Sequence, residues 1–229
     1  MKWIRLFVSL AAAAAVVACA SSGPPKPPQQ LIYLALGASD AAGVGAEPIT
    51  RGYVFEITNE LDARIDTVLL ANLGVPNAGT EQLEGALELF FETEAEPGLV
   101  TVWTGANDVI RGEDADDFED DLEDIFETLR DHTDGVIVAA NIPDLTRLPR
   151  FRGAPDDDVT RDRIEAFNEK IADQAEDYDV LLVDLFSLEI ADDLVSDRDG
   201  FHPNNAGHRR IADEFLKVIL PALGLTPSV

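Results

Sequence analysis

The chain has 229 residues, with 44 Asp and Glu against 17 Lys and Arg, for a formal net charge of −27. So acidic a composition excludes nucleic acid as a partner, because binding phosphates needs a basic face. A single Cys excludes an internal disulfide and a thiolate metal cluster, and the length suits one domain with a core of its own.

The N-terminal region carries Lys2 and Arg5, followed by the nearly unbroken apolar run Leu6 to Val17. That run is shorter than the roughly 20 residues a membrane span needs. It reads as a signal peptide over residues 1–18. Val16-Val17-Ala18-Cys19 resembles a bacterial lipobox, so Cys19 is expected to become a lipidated N-terminus. Ordinary cleavage after Ala20, with Ala18-Cys19-Ala20 as the recognised triplet, is the alternative. Residues 19–30, rich in Pro from "SSGPPKPPQQ", form an extended linker. The expectation is an exported protein, lipid-anchored and facing the periplasm or cell exterior, with a secreted soluble form as the alternative. The folded domain is then residues 31–229. With Lys2 and Arg5 removed, 15 basic residues face 44 acidic ones, a formal charge of −29.

In the domain, short continuous apolar runs alternate with segments of helical period. Leu31–Leu36 reads as the first strand, and Ser39 follows it in "GASD". Val54, Ile57, Leu61 and Ile65 mark a helix. Thr67–Leu73 is the second strand, and Leu83, Leu87 and Phe90 mark the next helix. Leu99–Thr104 is the third strand, running into the turn "TGANDV" that holds Asn107. An acidic helix follows, with Phe118, Leu122, Ile125 and Leu129 on its apolar face. Gly135–Asn141 is the fourth strand, Ile164, Phe167 and Ile171 a helix, Val180–Phe186 the fifth strand, and Ile211, Phe215 and Ile219 the last helix. Continuous rather than alternating strands are those buried on both faces of a parallel sheet. The expected fold is α/β: a flavodoxin-like three-layer α/β/α domain whose five-stranded parallel sheet has the order 2-1-3-4-5. In that order a crevice opens where strands 1 and 3 diverge, at their carboxyl ends. Ser39 and Asn107 come to that crevice from separate parts of the chain.

A serine nucleophile needs a base, and the base needs an orienting acid. Of the three His residues, His132 ends an acidic helix, where a cation suits the helix dipole. His208 stands beside Arg209 and Arg210 and is expected at the surface. His202 lies in "DRDGFHPNN", three residues after Asp199, so one tight turn can supply both base and carboxylate. The same loop has a partial calcium-loop pattern in Asp197, Asp199 and Gly200. The first ligand position falls on Val195, which has no oxygen side chain, so no metal site is expected. The long acidic runs read as solvated faces. An amide such as that of Asn107, with backbone N–H groups, can hold the negative charge that acyl transfer builds on a carbonyl oxygen.

Gly37-Ala38-Ser39, Gly105-x-Asn107-Asp108 and Asp199-x-x-His202, in that order, resemble the SGNH (GDSL-type) hydrolases. "NLGVPNAGT" (72–80) and "NIPDLTRLP" (141–149) resemble the family's blocks after strands 2 and 4. The resemblance implies carboxylic ester hydrolysis through a Ser39–His202–Asp199 triad and an acyl-enzyme, with no cofactor. It places Asn107 and the Ser39 N–H in the oxyanion hole, on a small-molecule, lipid or sugar ester. A non-catalytic ligand-binding lipoprotein on the same fold, and acyltransferase or lysophospholipase-type activity, are the alternatives. Two departures stand out. Ala38 replaces the family's Asp before the Ser, with Asp40 after it. The Gly whose N–H completes the oxyanion hole falls on Asn77, with Gly79 the alternative two residues on.

Overall fold

The computed structural model describes residues 28–226. The expected signal peptide, Cys19 and most of the linker lie outside the described residues. The chain runs β1 (Gln30–Gly37), α1 (Tyr53–Asp62), β2 (Thr67–Gly74), α2 (Glu81–Phe91), β3 (Leu99–Trp103), α3 (Ala106–Arg111) and α4 (Ala115–His132). It continues through β4 (Val136–Ala140), α5 (Pro149–Gly153), α6 (Arg161–Asp177), β5 (Leu181–Val183) and α7 (Asn205–Ala222). The strands form one sheet in the order β2-β1-β3-β4-β5, with every pair parallel. This is the architecture the strand pattern predicts.

Alternate residues of each strand feed two apolar layers. Leu34, Leu36, Val100, Val102, Ile137 and Ala139 face the side covered by α2, α4 and α6. Tyr33, Ala35, Leu99, Val138, Ala140 and Val183 face α1 and α7. Burial on both faces is why the central strands read as unbroken apolar runs. The acidic α4 obeys the same logic. Phe118, Leu122, Ile125, Phe126 and Leu129 are buried, while most of its acids point to solvent. Asp114 caps its first turn by accepting from the Asp116 N–H.

Three features differ from the sequence reading. The turn carrying Asn107 is the first turn of a short helix, α3, and α5 was not anticipated. Neither is long enough to show a helical period. The fifth strand is only Leu181–Val183. Beyond it the chain folds onto Asn141, whose Oδ1 accepts from the N–H groups of Leu185 (2.6 Å) and Phe186 (2.8 Å). That side chain replaces the strand partner that residues 184–186 would need.

Candidate active site

Ser39 stands on the turn that ends β1. Gly37 permits the turn to lie against β3, since a Cβ there would come within 2.6 Å of the Trp103 carbonyl oxygen. Two side chains hold the loop after Ser39. Asn72 donates from Nδ2 to the Ala41 carbonyl (2.8 Å) and accepts from the Gly74 N–H (2.9 Å). Asn205, at the start of α7, accepts from the Glu47 N–H and donates to the Glu47 carbonyl, each at 2.8 Å. Gly45 brings this loop against the His202 turn. At φ 94° a side chain is strained, and a Cβ would meet the Pro203 oxygen at 2.1 Å.

The Asp199–His202 turn is built by the acid itself. Asp199 Oδ1 accepts from the N–H groups of Phe201 (2.9 Å) and His202 (3.0 Å), and Oδ2 lies 2.6 Å from His202 Nδ1. Burial alone would raise the Asp199 carboxyl. The His202 ring and the two backbone donors outweigh it, so its pKa is lowered below the ordinary value. A carboxylate can only accept, so Nδ1 carries the ring proton and Nε2 has a free lone pair. Nε2 lies 2.9 Å from Ser39 Oγ, and the hydroxyl donates to it. Ser39 is 6% exposed.

Ser39, Thr104, Trp103, Phe201 and Asn107 line one small pocket at the carboxyl ends of β1 and β3. Asn107 donates one amide hydrogen to the Ala78 carbonyl at 2.7 Å. The amide has two hydrogens, so one N–H is left for a ligand. Asn77, next to Ala78, has φ 65°, in the left-handed region that Asn tolerates better than most residues. Its carbonyl accepts from Arg111. The Gly79 N–H, by contrast, is taken by Gln82 Oε1 at 2.7 Å.

Sequence reasoning missed several supports. Asp108, 4% exposed, accepts from the Thr80 N–H (2.9 Å) and hydroxyl (3.1 Å), tying the loop after β2 to α3. Its place beside Asn107 at a strand end was the available signal. The expected surface position of His208 is corrected, for its exposure is 0%. It lies three and four residues before Ile211 and Ala212, on the buried face of α7. Nδ1 accepts from the Tyr53 N–H (3.2 Å) and Nε2–H donates to the Val44 carbonyl (2.9 Å), so His208 ties the Ser39 loop to α7. Burial first, and the nearby His202 as well, lower its pKa to about 4 against the opposing Val44 hydrogen bond. Asp40 is pushed up to about 6, mainly by burial; His202 opposes the rise and Asp199 adds to it. Among the described residues no group of three His, Cys, Asp or Glu is arranged to hold a metal ion.

The Ser39 hydroxyl stands in line with an imidazole and a carboxylate at the switch point of a doubly wound sheet, the place where such folds bind ligands. The sequence model of the GDSL-like lipase/acylhydrolase family matches residues 35–210, and the chain belongs to that family. It is therefore a hydrolase of the esterase and acylhydrolase kind. No curated protein matches the chain. Among solved structures it is similar to the psychrotrophic esterase EstA of Pseudoalteromonas sp. at 22% identity, covering 82% of this chain and 96% of that one, with a TM-score of 0.66. It is similar to the lipase/acylhydrolase of Enterococcus faecalis at 20% identity, over 87% and 99% of the two chains, with a TM-score of 0.67. The acetyl xylan esterase AlAXEase superposes at 21% identity, over 82% and 100%, with a TM-score of 0.66. At these identities the likeness concerns the fold.

Proposed function

We propose that the protein is a serine hydrolase of carboxylic esters that works through an acyl-enzyme. The observation that carries this reading is the unbroken chain from Asp199 through His202 to Ser39, at 2.6 and 2.9 Å. Ser39 Oγ bonds to the ester carbonyl carbon while its proton passes to His202 Nε2. Asp199 holds the ring in the correct tautomer and stabilises the imidazolium. The charge on the carbonyl oxygen rests on the Asn107 amide and the N–H groups of Ser39 and Asn77. The left-handed Asn77 and the engaged Gly79 N–H favour Asn77 as that second backbone donor. As the bond to the alcohol breaks, Nε2 returns the proton to the departing oxygen. Water then repeats the sequence: it loses a proton to Nε2, bonds to the acyl carbon and releases the acid with Ser39 re-protonated. No step calls for a cofactor. The N-terminal pattern supports export with lipid on Cys19, so the domain would work on a tether at a membrane surface.

Activity of Ser39→Ala and His202→Ala on nitrophenyl esters tests the assignment. Each is expected to lose at least roughly 10³-fold in kcat, with thermal unfolding unchanged. Near-normal turnover by Ser39→Ala overturns it.

A further inference from the structure

The mechanism leaves one ionisable group of the nucleophile pocket unused. Asp40 follows Ser39 directly and lines the pocket that also holds Trp103, Asn107 and Phe201. Other groups hold the turn it stands on. Backbone bonds close that turn, from the Ala42 N–H to the Ala38 carbonyl (3.2 Å), the Gly43 N–H to the Asp40 carbonyl (3.0 Å) and the Val44 N–H to the Ser39 carbonyl (2.9 Å). The Asp40 carboxyl meets only its own backbone N–H, and among the described residues it has no ion-pair partner. Burial lifts it to about 6, so in neutral solution its charge weakens the fold instead of supporting it.

The charges around Asp40 come from each element packed against it. The turn before α7 brings His202, which favours the carboxylate, and Asp199, which opposes it and is itself bound to His202. α1 brings Tyr53, whose hydroxyl is kept protonated by burial first, then by Tyr33 and Asp40. Asp40 also borders a larger, mostly apolar cavity beyond the carboxyl ends of β4 and β5, where α7 brings Arg210, paired to Glu214 at 3.0 Å. β3 and α3 bring Trp103, Thr104, Ala106 and Asn107, none of them charged. The loop after β4 supplies the competing sign, for the Arg150 guanidinium lies over the Phe201 ring at 5.4 Å. While His202 is neutral and awaits the Ser39 proton, Asp40 is the uncompensated charge on the wall of the pocket.

We propose that Asp40 is a specificity-determining residue: its carboxylate favours an ester that carries a cationic group a few carbons from the reacting carbonyl, and disfavours the anionic counterpart. The inference rests on the hydrolase reading above. The approach to the site has the same sign. A wide groove beside the His202 turn is lined by Glu47, Asp192, Asp193 and Asp197, and its Arg198 is paired to Glu47. Such a surface draws cations toward the pocket, and a partly buried carboxylate at its end acts on them with little screening.

Two sets of isosteric esters test the assignment, one for each side of the ester bond. The alcohol set is dimethylaminoethyl acetate, isopentyl acetate and acetoxypropanoate. The acyl set is ethyl dimethylaminobutyrate, ethyl isoheptanoate and monoethyl glutarate. Each runs from cation through neutral to anion at nearly constant shape. At about pH 7.5 the expected kcat/KM falls in that order in at least one set, by about tenfold or more from cation to anion. Asp40→Asn is expected to shrink that ratio at least about threefold. The variant removes one charge from a net −29, so steering by the whole domain stays. It is also expected to melt higher than the wild type at that pH, since the buried charge is gone. Lowering the wild type to about pH 5 should shrink the ratio as the variant does, because Asp40 takes up its proton through 6. The ratio cancels the response of the triad, which all the esters share. A ratio that Asp40→Asn leaves unchanged, or the absence of any charge preference in both sets, overturns the proposal while Ser39-dependent turnover keeps the hydrolase reading. A preference for the anion overturns it in favour of Arg150. Absence of Ser39-dependent turnover on every ester overturns both readings.

Discussion

Mild acid offers a direct test of the buried imidazole that ties α7 to the Ser39 loop. His208 is fully buried, with both ring nitrogens engaged by backbone groups. Its pKa falls from 6.5 to about 4, first because burial penalises the charged ring and also because His202 lies nearby. The unfolded chain therefore binds the proton more readily than the native one between those values. The stability contributed by neutral His208 is complete above pH 6.5, declines as pH falls, and is lost once pH passes below about 4. Its size is about 3 kcal/mol, at about 1.4 kcal/mol per pH unit of difference, a large share of the roughly 5–15 kcal/mol that holds a domain together. Asp40 acts with the opposite sign. Its folded value of about 6 lies above the ordinary 3.8, so the native state gains stability from it as pH falls through 6. A wild-type curve mixes the two, and a comparison with His208→Gln separates them. Asp40 contributes to both proteins and cancels, and glutamine does not titrate. Urea unfolding at several pH values between about 7.5 and 4 is the assay. The wild-type advantage over His208→Gln is expected to shrink by about 3 kcal/mol across that range, whatever the variant costs at neutral pH. Two curves that stay parallel would refute the claim that a neutral, doubly hydrogen-bonded His208 holds this junction.

Three further outcomes follow from the same structure. Asn107→Ala is expected to cost on the order of 10²-fold or more in kcat with a smaller change in KM; since Asn107 also holds the Ala78 carbonyl, a loss confined to thermal stability would assign it a purely structural role. Cys19→Ser is expected to move the protein from the detergent phase to the aqueous phase in the producing cell, and a wild-type protein that stays aqueous with a mature N-terminus at Ser21 would favour ordinary cleavage. With Lys2 and Arg5 removed, 44 acids face 15 bases, so at most 15 acids can pair one to one. Lengthening salt from about 0.01 to 1 M shortens the screening length from roughly 30 to 3 Å, and the melting temperature should rise across that series; a flat or falling trend would mean that local ion pairs, rather than net repulsion, dominate.

The fold was legible in the chain because its determinants are periodic. Strands buried on both faces show as apolar runs, and helices such as α4 show their buried residues every three or four positions despite an acidic background. Parallel topology then restricts where loops can meet, so Ser39 and Asn107 could be placed at one crevice before any coordinates. The Asp199–His202 pair was visible as well, because a spacing of three in a tight turn is a local property. Other features depended on groups far apart in sequence. The burial of His208 is set by Tyr53 and Val44, more than 150 residues away. That the Gly79 N–H is engaged depended on where the Gln82 side chain lies. The end of β5 was decided by Asn141, and the apolar cavity by loops after two different strands. Sequence pattern reports which residues leave water, because that follows from local period and polarity. Which partner each buried polar group finds, and what space remains between the loops, is settled only when the chain closes on itself.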